Sequence, residues 1–133
     1  MRRTAIAVLA LAFTAAACGG GGSEDISETS QRATVTASEF AFEPANLTVP
    51  GGAEVGFTLN NTGTQEHYWV VLESPVSSES EIGDAEELFE VEAHGGDTAA
   101  KILKDLAPGT YQVVCTVEGH FAAGMVGELV VTG

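Results

Sequence analysis

Short runs in which apolar and polar residues alternate are the feature that most constrains the fold. Residues 55–59 read Val-Gly-Phe-Thr-Leu and residues 46–49 read Asn-Leu-Thr-Val, so every second side chain is apolar. Residues rich in glycine, proline and asparagine interrupt these runs at 50–52 and 60–64. Alternation with a period of two is typical of strands that bury one face, and the interruptions are typical turns. The pattern predicts an antiparallel β-sandwich.

Four downstream runs extend this prediction. Residues 66–72 are apolar on both faces, which predicts a central strand, and strands are also predicted over the first half of 98–106 and over 126–132. Residues 106–111, Leu-Ala-Pro-Gly-Thr-Tyr, match the tyrosine corner of Greek-key sandwiches, in which a phenol bonds to nearby backbone. These runs predict an all-β, Greek-key antiparallel β-sandwich.

One segment departs from the strand pattern. Asp84-Ala-Glu-Glu resembles a capping box, and Leu88 and Val91 are three residues apart, as on one face of a helix. We therefore predict one short helix over residues 84–92, flanking the sandwich.

A thiol, an imidazole and a thioether follow one another at five-residue intervals near the C-terminus: Cys115, His120 and Met125. Strand-like runs lead into and out of this segment, so a loop between two strands would bring the three side chains together. A thiolate, imidazoles and a weak thioether suit copper that cycles between its two oxidation states. The second imidazole is best supplied by His67, since His94 precedes two glycines and is interpreted as an exposed loop residue.

The Cys-x4-His-x4-Met run at 115–125 and the run Asn-Asn-Thr-Gly-Thr-Gln-Glu-His at 60–67 resemble the blue copper proteins. These form the cupredoxin family, which includes plastocyanin, azurin and auracyanin. The resemblance covers roughly residues 35–133. It implies a cupredoxin-like sandwich that binds one type 1 copper ion and transfers single electrons between redox partners, without being an enzyme.

The resemblance also implies a role for each ligand. Cys115 supplies the thiolate and the electronic path, His67 and His120 complete a trigonal plane, and Met125 is the weak axial ligand. Where azurin-like members often have an asparagine after the first histidine, this chain has Tyr68.

Residues around the ligands are implied in the same way. We expect Thr116, and a backbone amide near Asn61 or Tyr68, to lie close to the sulfur. We also expect His120 to reach the surface as the electron entry point. The apolar patch through which it would emerge is formed by Phe121, Ala122, Ala123, Gly124 and Val126.

Other functions compete with electron transfer. A copper chaperone or copper-storage protein is one alternative, although chaperones usually expose many methionines and histidines and this chain has two methionines, one of them the initiator. A copper oxidase or nitrite reductase needs further histidines, and only His94 is unassigned. Zinc could occupy the cysteine and two histidines, but Met125 adds little for zinc. The remaining alternative is a β-sandwich that binds no metal and serves in adhesion.

The N-terminus carries the signature of export. Residues 1–17 combine two arginines with an apolar run shorter than the roughly 20 residues that span a bilayer, which indicates a signal peptide. The ending Ala-Ala-Ala-Cys18-Gly resembles a bacterial lipoprotein box, so we expect Cys18 to be lipidated; the alternative is a plain signal peptide cut nearby. Residues 18–32 predict a flexible tether and residues 33–133 the cupredoxin domain. The protein is thus expected on the outer face of the cytoplasmic membrane, in the periplasm or at the cell surface.

The net charge of the chain limits the kinds of partner that it can bind. Without residues 1–17 the chain has three basic residues against 19 acidic ones, a formal charge of −16. Such an excess argues against nucleic-acid binding and favours basic redox partners, such as a cytochrome or an oxidase, or simple solubility or adaptation to high salt. Nine of the acids and no base lie in residues 73–97, a segment that is either a solvated face or a docking surface.

Overall fold

Nine strands form two sheets within residues 22–133, the part of the chain that the computed structural model describes. The strands are β1 (Gln31–Ser38), β2 (Ala41–Glu43), β3 (Asn46–Pro50), β4 (Val55–Asn61), β5 (His67–Leu72), β6 (Glu87–Ala93), β7 (Thr98–Leu103), β8 (Gly109–Val114) and β9 (Val126–Thr132). The first sheet has the order β2-β1-β4-β7 and the second the order β3-β9-β8-β5-β6. The predicted β-sandwich is confirmed.

Strand directions add a detail that alternation does not reveal. β4 pairs with β7, and β8 pairs with both β5 and β9, in antiparallel fashion. However, β1 runs parallel to β4, and β3 runs parallel to β9. The sandwich is therefore mixed rather than purely antiparallel.

The core lies between the sheets and is built from the alternating residues. Phe57 of β4 and Trp69 of β5 stack across the sandwich with ring centroids 4.2 Å apart, and Phe89 of β6 meets both rings edge-on. Leu59 and Val71 are fully buried beside them. This aromatic cluster packs the two sheets together near the end of the sandwich at which β5 begins.

The helix predicted over residues 84–92 is wrong, because most of that segment is strand β6. Phe89, Val91 and Ala93 alternate with glutamates and face the core, and β6 pairs with β5 over six residues. A 3₁₀ helix does flank the sandwich, but it lies earlier, at Glu79–Asp84. Its capping box is formed by Ser78 and Glu81, not by Asp84.

The other predicted elements are confirmed. The Tyr111 hydroxyl donates to the Ala107 carbonyl at 2.6 Å, which makes the tyrosine corner. β7 covers the first half of 98–106, and β9 lies between β3 and β8 in the second sheet.

The N-terminal strap, residues 23–30, lies on the outside of the first sheet. Ala100 of β7 donates its N–H to the Ser23 hydroxyl at 2.9 Å and accepts the Glu24 N–H at 2.7 Å. The Glu24 carboxylate accepts the N–H of Ile102 at 2.7 Å. Part of the predicted tether thus lies on the sheet, and β1 begins at Gln31, two residues before the predicted start of the domain.

The signal peptide, Cys18 and residues 19–21 lie outside the described residues. In the described part of the chain, no helix is long and apolar enough to cross a membrane.

Candidate metal centre

The four predicted ligands meet at one end of the sandwich. His67 is the first residue of β5, and Cys115 directly follows the last residue of β8. His120 and Met125 lie on the loop that leads from Cys115 into β9. Three of these side chains are fully buried and His120 is 3% exposed. The fold therefore places all four where solvent is excluded.

Backbone hydrogen bonds close the loop on itself. Cys115 N–H donates to the Met125 carbonyl at 3.2 Å, and Met125 N–H donates to the His120 carbonyl at 3.0 Å. Gly119 and Gly124 have φ values of 85° and 97°, a region that only glycine adopts readily. Each five-residue interval between ligands therefore contains one tight turn, and each turn depends on a glycine.

Distances between the ligand atoms fit a single metal ion. Cys115 Sγ lies 3.4 Å from His120 Nδ1 and 4.0 Å from His67 Nδ1. Bonds of about 2.0 Å to nitrogen and 2.3 Å to sulfur, 120° apart, would separate these atoms by about 3.7 Å. The cysteine and both histidines would thus hold one metal ion, and the buried thioether of Met125, on the same loop, would add the soft donor typical of copper sites.

A backbone N–H group lies close to the sulfur of Cys115. Tyr68 N–H points at Cys115 Sγ over 3.5 Å. Burial nevertheless raises the pKa of the Cys115 thiol, and the backbone N–H groups of Tyr68 and Val117 only partly offset this shift. Copper must therefore displace the thiol proton when it binds.

Of the predicted neighbours, Tyr68 contacts the sulfur and the other two residues have different roles. Asn61 N–H is bonded to the Asp97 carbonyl, while its side-chain amide donates to the carbonyls of Gln65 and Ala93 at 2.7 and 2.9 Å. Asn61 therefore braces the segment before His67. Thr116 is half-buried and lines a surface groove beside Glu79 and Glu118.

His67 has an unexpected neighbour in Glu39. Its Nε2 lies 3.4 Å from Glu39 Oε1 and has no hydrogen bond of good geometry among the described residues. Burial, followed by the nearby His120, lowers the pKa of His67, and Glu39 opposes this shift. The pKa of Glu39 is in turn lowered, chiefly by the N–H of Gln65. Burial thus favours the neutral form of His67, which is the form that binds a metal.

His120 does not emerge through the predicted patch. Gln65 Oε1 lies 2.9 Å from its Nε2, and the Phe40 ring packs edge-on against it with centroids 4.9 Å apart. These two side chains cover the outer edge of the imidazole, which is why it is 3% exposed.

The predicted patch consists of residues on the ligand loop and at the start of β9. Within it, Ala122, Ala123 and Gly124 are exposed, while Phe121 and Val126 are half-buried. Phe40, which the sequence did not assign to the site, is 39% exposed and is the one large exposed hydrophobic residue among those described.

His94 stays away from the copper ligands. It is 47% exposed, and its Nδ1 lies 2.8 Å from Glu66 Oε2 and its Nε2 3.7 Å from Glu92 Oε1. It is an exposed residue just beyond β6, as predicted.

A β-sandwich that gathers a thiol, two imidazoles and a thioether at one buried end defines a mononuclear copper protein of the redox type. The cupredoxin-like domain family matches residues 3–131, and the chain belongs to that family.

Similar proteins agree with this assignment. The chain is 32% identical to auracyanin-A of Chloroflexus aurantiacus over 98% of its own length and 97% of that protein. It is 30% identical to the copper-resistant cuproprotein CopI of Rubrivivax gelatinosus, over 68% of this chain and 59% of CopI. The solved structure of auracyanin A, described as a "blue" copper protein from Chloroflexus aurantiacus, superimposes with a TM-score of 0.61 and 26% identity, over 76% of this chain and 99% of the other.

Proposed function

We propose that the protein carries single electrons between redox partners outside the cytoplasm and catalyses no reaction of its own. The observation that carries this proposal is the ligand set itself, in which Cys115 Sγ lies within 4.0 Å of Nδ1 of both imidazoles. Copper, when bound, supplies a one-electron couple. A site fixed by the sandwich requires little rearrangement when that electron moves, which favours fast transfer.

Voltammetry of the copper-loaded protein tests this function. We expect a reversible one-electron wave and an intense blue absorption that disappears on reduction and returns on oxidation. Slow, irreversible waves, or a colourless product with broad copper hyperfine splitting, would argue for a site that is not built for electron transfer.

The surface near His120 supports the same role. Phe40 is partly exposed and contacts the imidazole, and the exposed residues Ala122, Ala123 and Gly124 lie on the ligand loop. A partner that covers Phe40 would therefore come within one side chain of a copper ligand. The net charge favours basic partners, such as a cytochrome or an oxidase.

Copper handling is the second candidate function, favoured by the similarity to the copper-resistant cuproprotein. The burial of the ligands argues against rapid delivery, since Met125 and Cys115 are fully enclosed. Mixing the copper(I)-loaded protein with a chromogenic chelator separates the two functions. An electron carrier should release copper over hours, whereas complete release within seconds would support a chaperone.

We further propose that Cys18 is lipidated and holds the domain at the outer face of the cytoplasmic membrane. Ser23 and Glu24 are bonded to β7, so four residues, 19–22, connect Cys18 to the domain. The five Cα–Cα steps from Cys18 to Ser23 span at most about 18 Å. The domain would thus lie against the membrane, rather than at the end of a long tether.

Cys18→Ser should move the protein from the membrane fraction to the soluble fraction without changing its absorption spectrum, because the substitution leaves all four copper ligands in place. Fractionation of cells that produce the wild type and the variant provides the measurement. A wild type that is wholly soluble and begins at a residue other than Cys18 would refute lipidation.

A further inference from the structure

We propose that Glu39 is a positioning residue of the copper centre: one carboxylate orients His67 directly, supports His120 through Gln65, and favours copper(II) by its charge. This inference deepens the proposed electron-transfer function and rests on it. Glu39 lies in the two-residue connection between β1 and β2, far from the ligands in sequence.

Two backbone N–H groups hold the Glu39 carboxylate in place. Glu39 Oε1 accepts the N–H groups of Thr64 at 2.8 Å and Gln65 at 2.7 Å. Gly63 lies under the same carboxylate, and a Cβ there would collide with both of its oxygens. The backbone before β5 thus forms a cradle that fits this side chain only because residue 63 is glycine.

From this cradle the carboxylate faces the buried ring of His67. A neutral imidazole carries one proton, so Nδ1 is free for the metal only when Nε2 is protonated. Oε1 lies 3.4 Å from Nε2, and a shift of about 0.4 Å closes this distance to an ordinary hydrogen bond. Nε2 is buried without a hydrogen-bond partner among the described residues, so Glu39 is the acceptor placed to select the required tautomer.

The same carboxylate supports the second imidazole through Gln65. Its bond to Gln65 N–H fixes the backbone from which the Gln65 side chain reaches Nε2 of His120, with Oε1 at 2.9 Å. Each imidazole therefore has a side-chain oxygen near its Nε2, at 3.4 Å for His67 and 2.9 Å for His120. Both oxygens depend on the position of Glu39.

Charge gives this arrangement a redox consequence. A carboxylate bonded to a ligating imidazole makes the ring a stronger donor, and it stabilises the more highly charged state of the metal. The Glu39 side chain is 25% exposed, so solvent screens part but not all of its charge. The wild-type potential should therefore be lower than that of a protein with a neutral residue at position 39.

Glu39→Gln tests the proposal because glutamine keeps an oxygen acceptor but removes the charge. The matched control is Glu66→Gln, which removes a charge from the residue next to His67 in a side chain that pairs with His94 instead of the copper ligands. We expect Glu39→Gln to lower the ratio of copper(II) to copper(I) affinities about tenfold, a rise of about 59 mV in a one-electron couple. The control should shift the potential by less than half as much. Blue absorption should persist in both.

Two outcomes would overturn the proposal while leaving electron transfer intact. One is a reversible wave whose potential is unchanged in Glu39→Gln, and the other is an equal shift in the Glu66→Gln control. An irreversible wave in the wild type would instead contradict the proposed function itself.

Two further measurements apply if Glu39→Gln does not fold. Gly63→Ala keeps the carboxylate but displaces it, so its potential should also rise. In the metal-free wild type, nitrogen NMR should show His67 as the Nε2–H tautomer. An unchanged potential in Gly63→Ala, or the Nδ1–H tautomer in the wild type, would contradict the role of Glu39.

Discussion

Replacing Cys115 by serine is expected to abolish the blue colour of the copper-loaded protein completely. The colour of a type 1 site arises from charge transfer between the thiolate and copper(II), and a hydroxyl oxygen provides no such transition. The position itself stays well defined, since the N–H of Tyr68 points at the side chain of residue 115. Titration of the metal-free variant with copper(II), followed by absorption and EPR spectra, measures the effect.

The fold should survive this change. Serine is close to cysteine in volume, and its buried hydroxyl can accept the same backbone donors, so we expect the free energy of unfolding to fall by roughly 1–3 kcal/mol. Circular dichroism and chemical denaturation of the metal-free proteins provide the control. A variant that remains folded and blue would show that Cys115 is not the thiolate ligand.

Replacements of Met125 are expected to move the reduction potential in opposite directions. A thioether is a soft, neutral donor, so a glutamine oxygen in its place should favour copper(II) and lower the potential. Met125→Leu removes the axial donor that helps copper(II) and should raise it. A tenfold change in relative affinity corresponds to about 59 mV, and we expect shifts on the order of that size.

Voltammetry of the wild type and both variants decides the matter. Leucine nearly conserves the volume of the buried Met125 side chain, so packing should cost less than about 1.5 kcal/mol in the Met125→Leu variant. Blue absorption should remain in both variants because the thiolate is untouched. If neither change moves the potential, Met125 does not contact the copper.

Most of the sandwich could be predicted because the apolar pattern within each strand matches the face that the fold buries. Residues 55–59 and 67–72 carry apolar side chains at the positions that the two sheets bury, and the tyrosine corner is contained in six consecutive residues. The ligand loop was equally accessible, since Cys115, His120 and Met125 lie within eleven residues.

The wrong helix shows where a local signal misleads. Leu88 and Val91 fit a helical spacing, but Phe-Glu-Val-Glu-Ala at 89–93 also alternates strictly, and this was the correct signal. Pairing with β5 places the alternating apolar side chains of β6 on a buried face. An isolated helix at this position would have no such face.

The surroundings of the imidazoles could not be predicted because folding brings them together from separate segments. Glu39 and Phe40 lie between two strands of the first sheet, and they reach His67 and His120 across the end of the sandwich. Phe40 lies directly before β2, which begins at Ala41, and it remains partly exposed.

The N-terminal strap has a consequence for self-association. β7 is an outer strand of the first sheet, and the unpaired amides and carbonyls of such a strand can recruit a strand from another molecule. Ser23 and Glu24 occupy three of these groups, on Ala100 and Ile102, with a short irregular segment that offers no ladder of its own for a further strand. The strap thus protects this edge of the first sheet from pairing with a strand of another molecule.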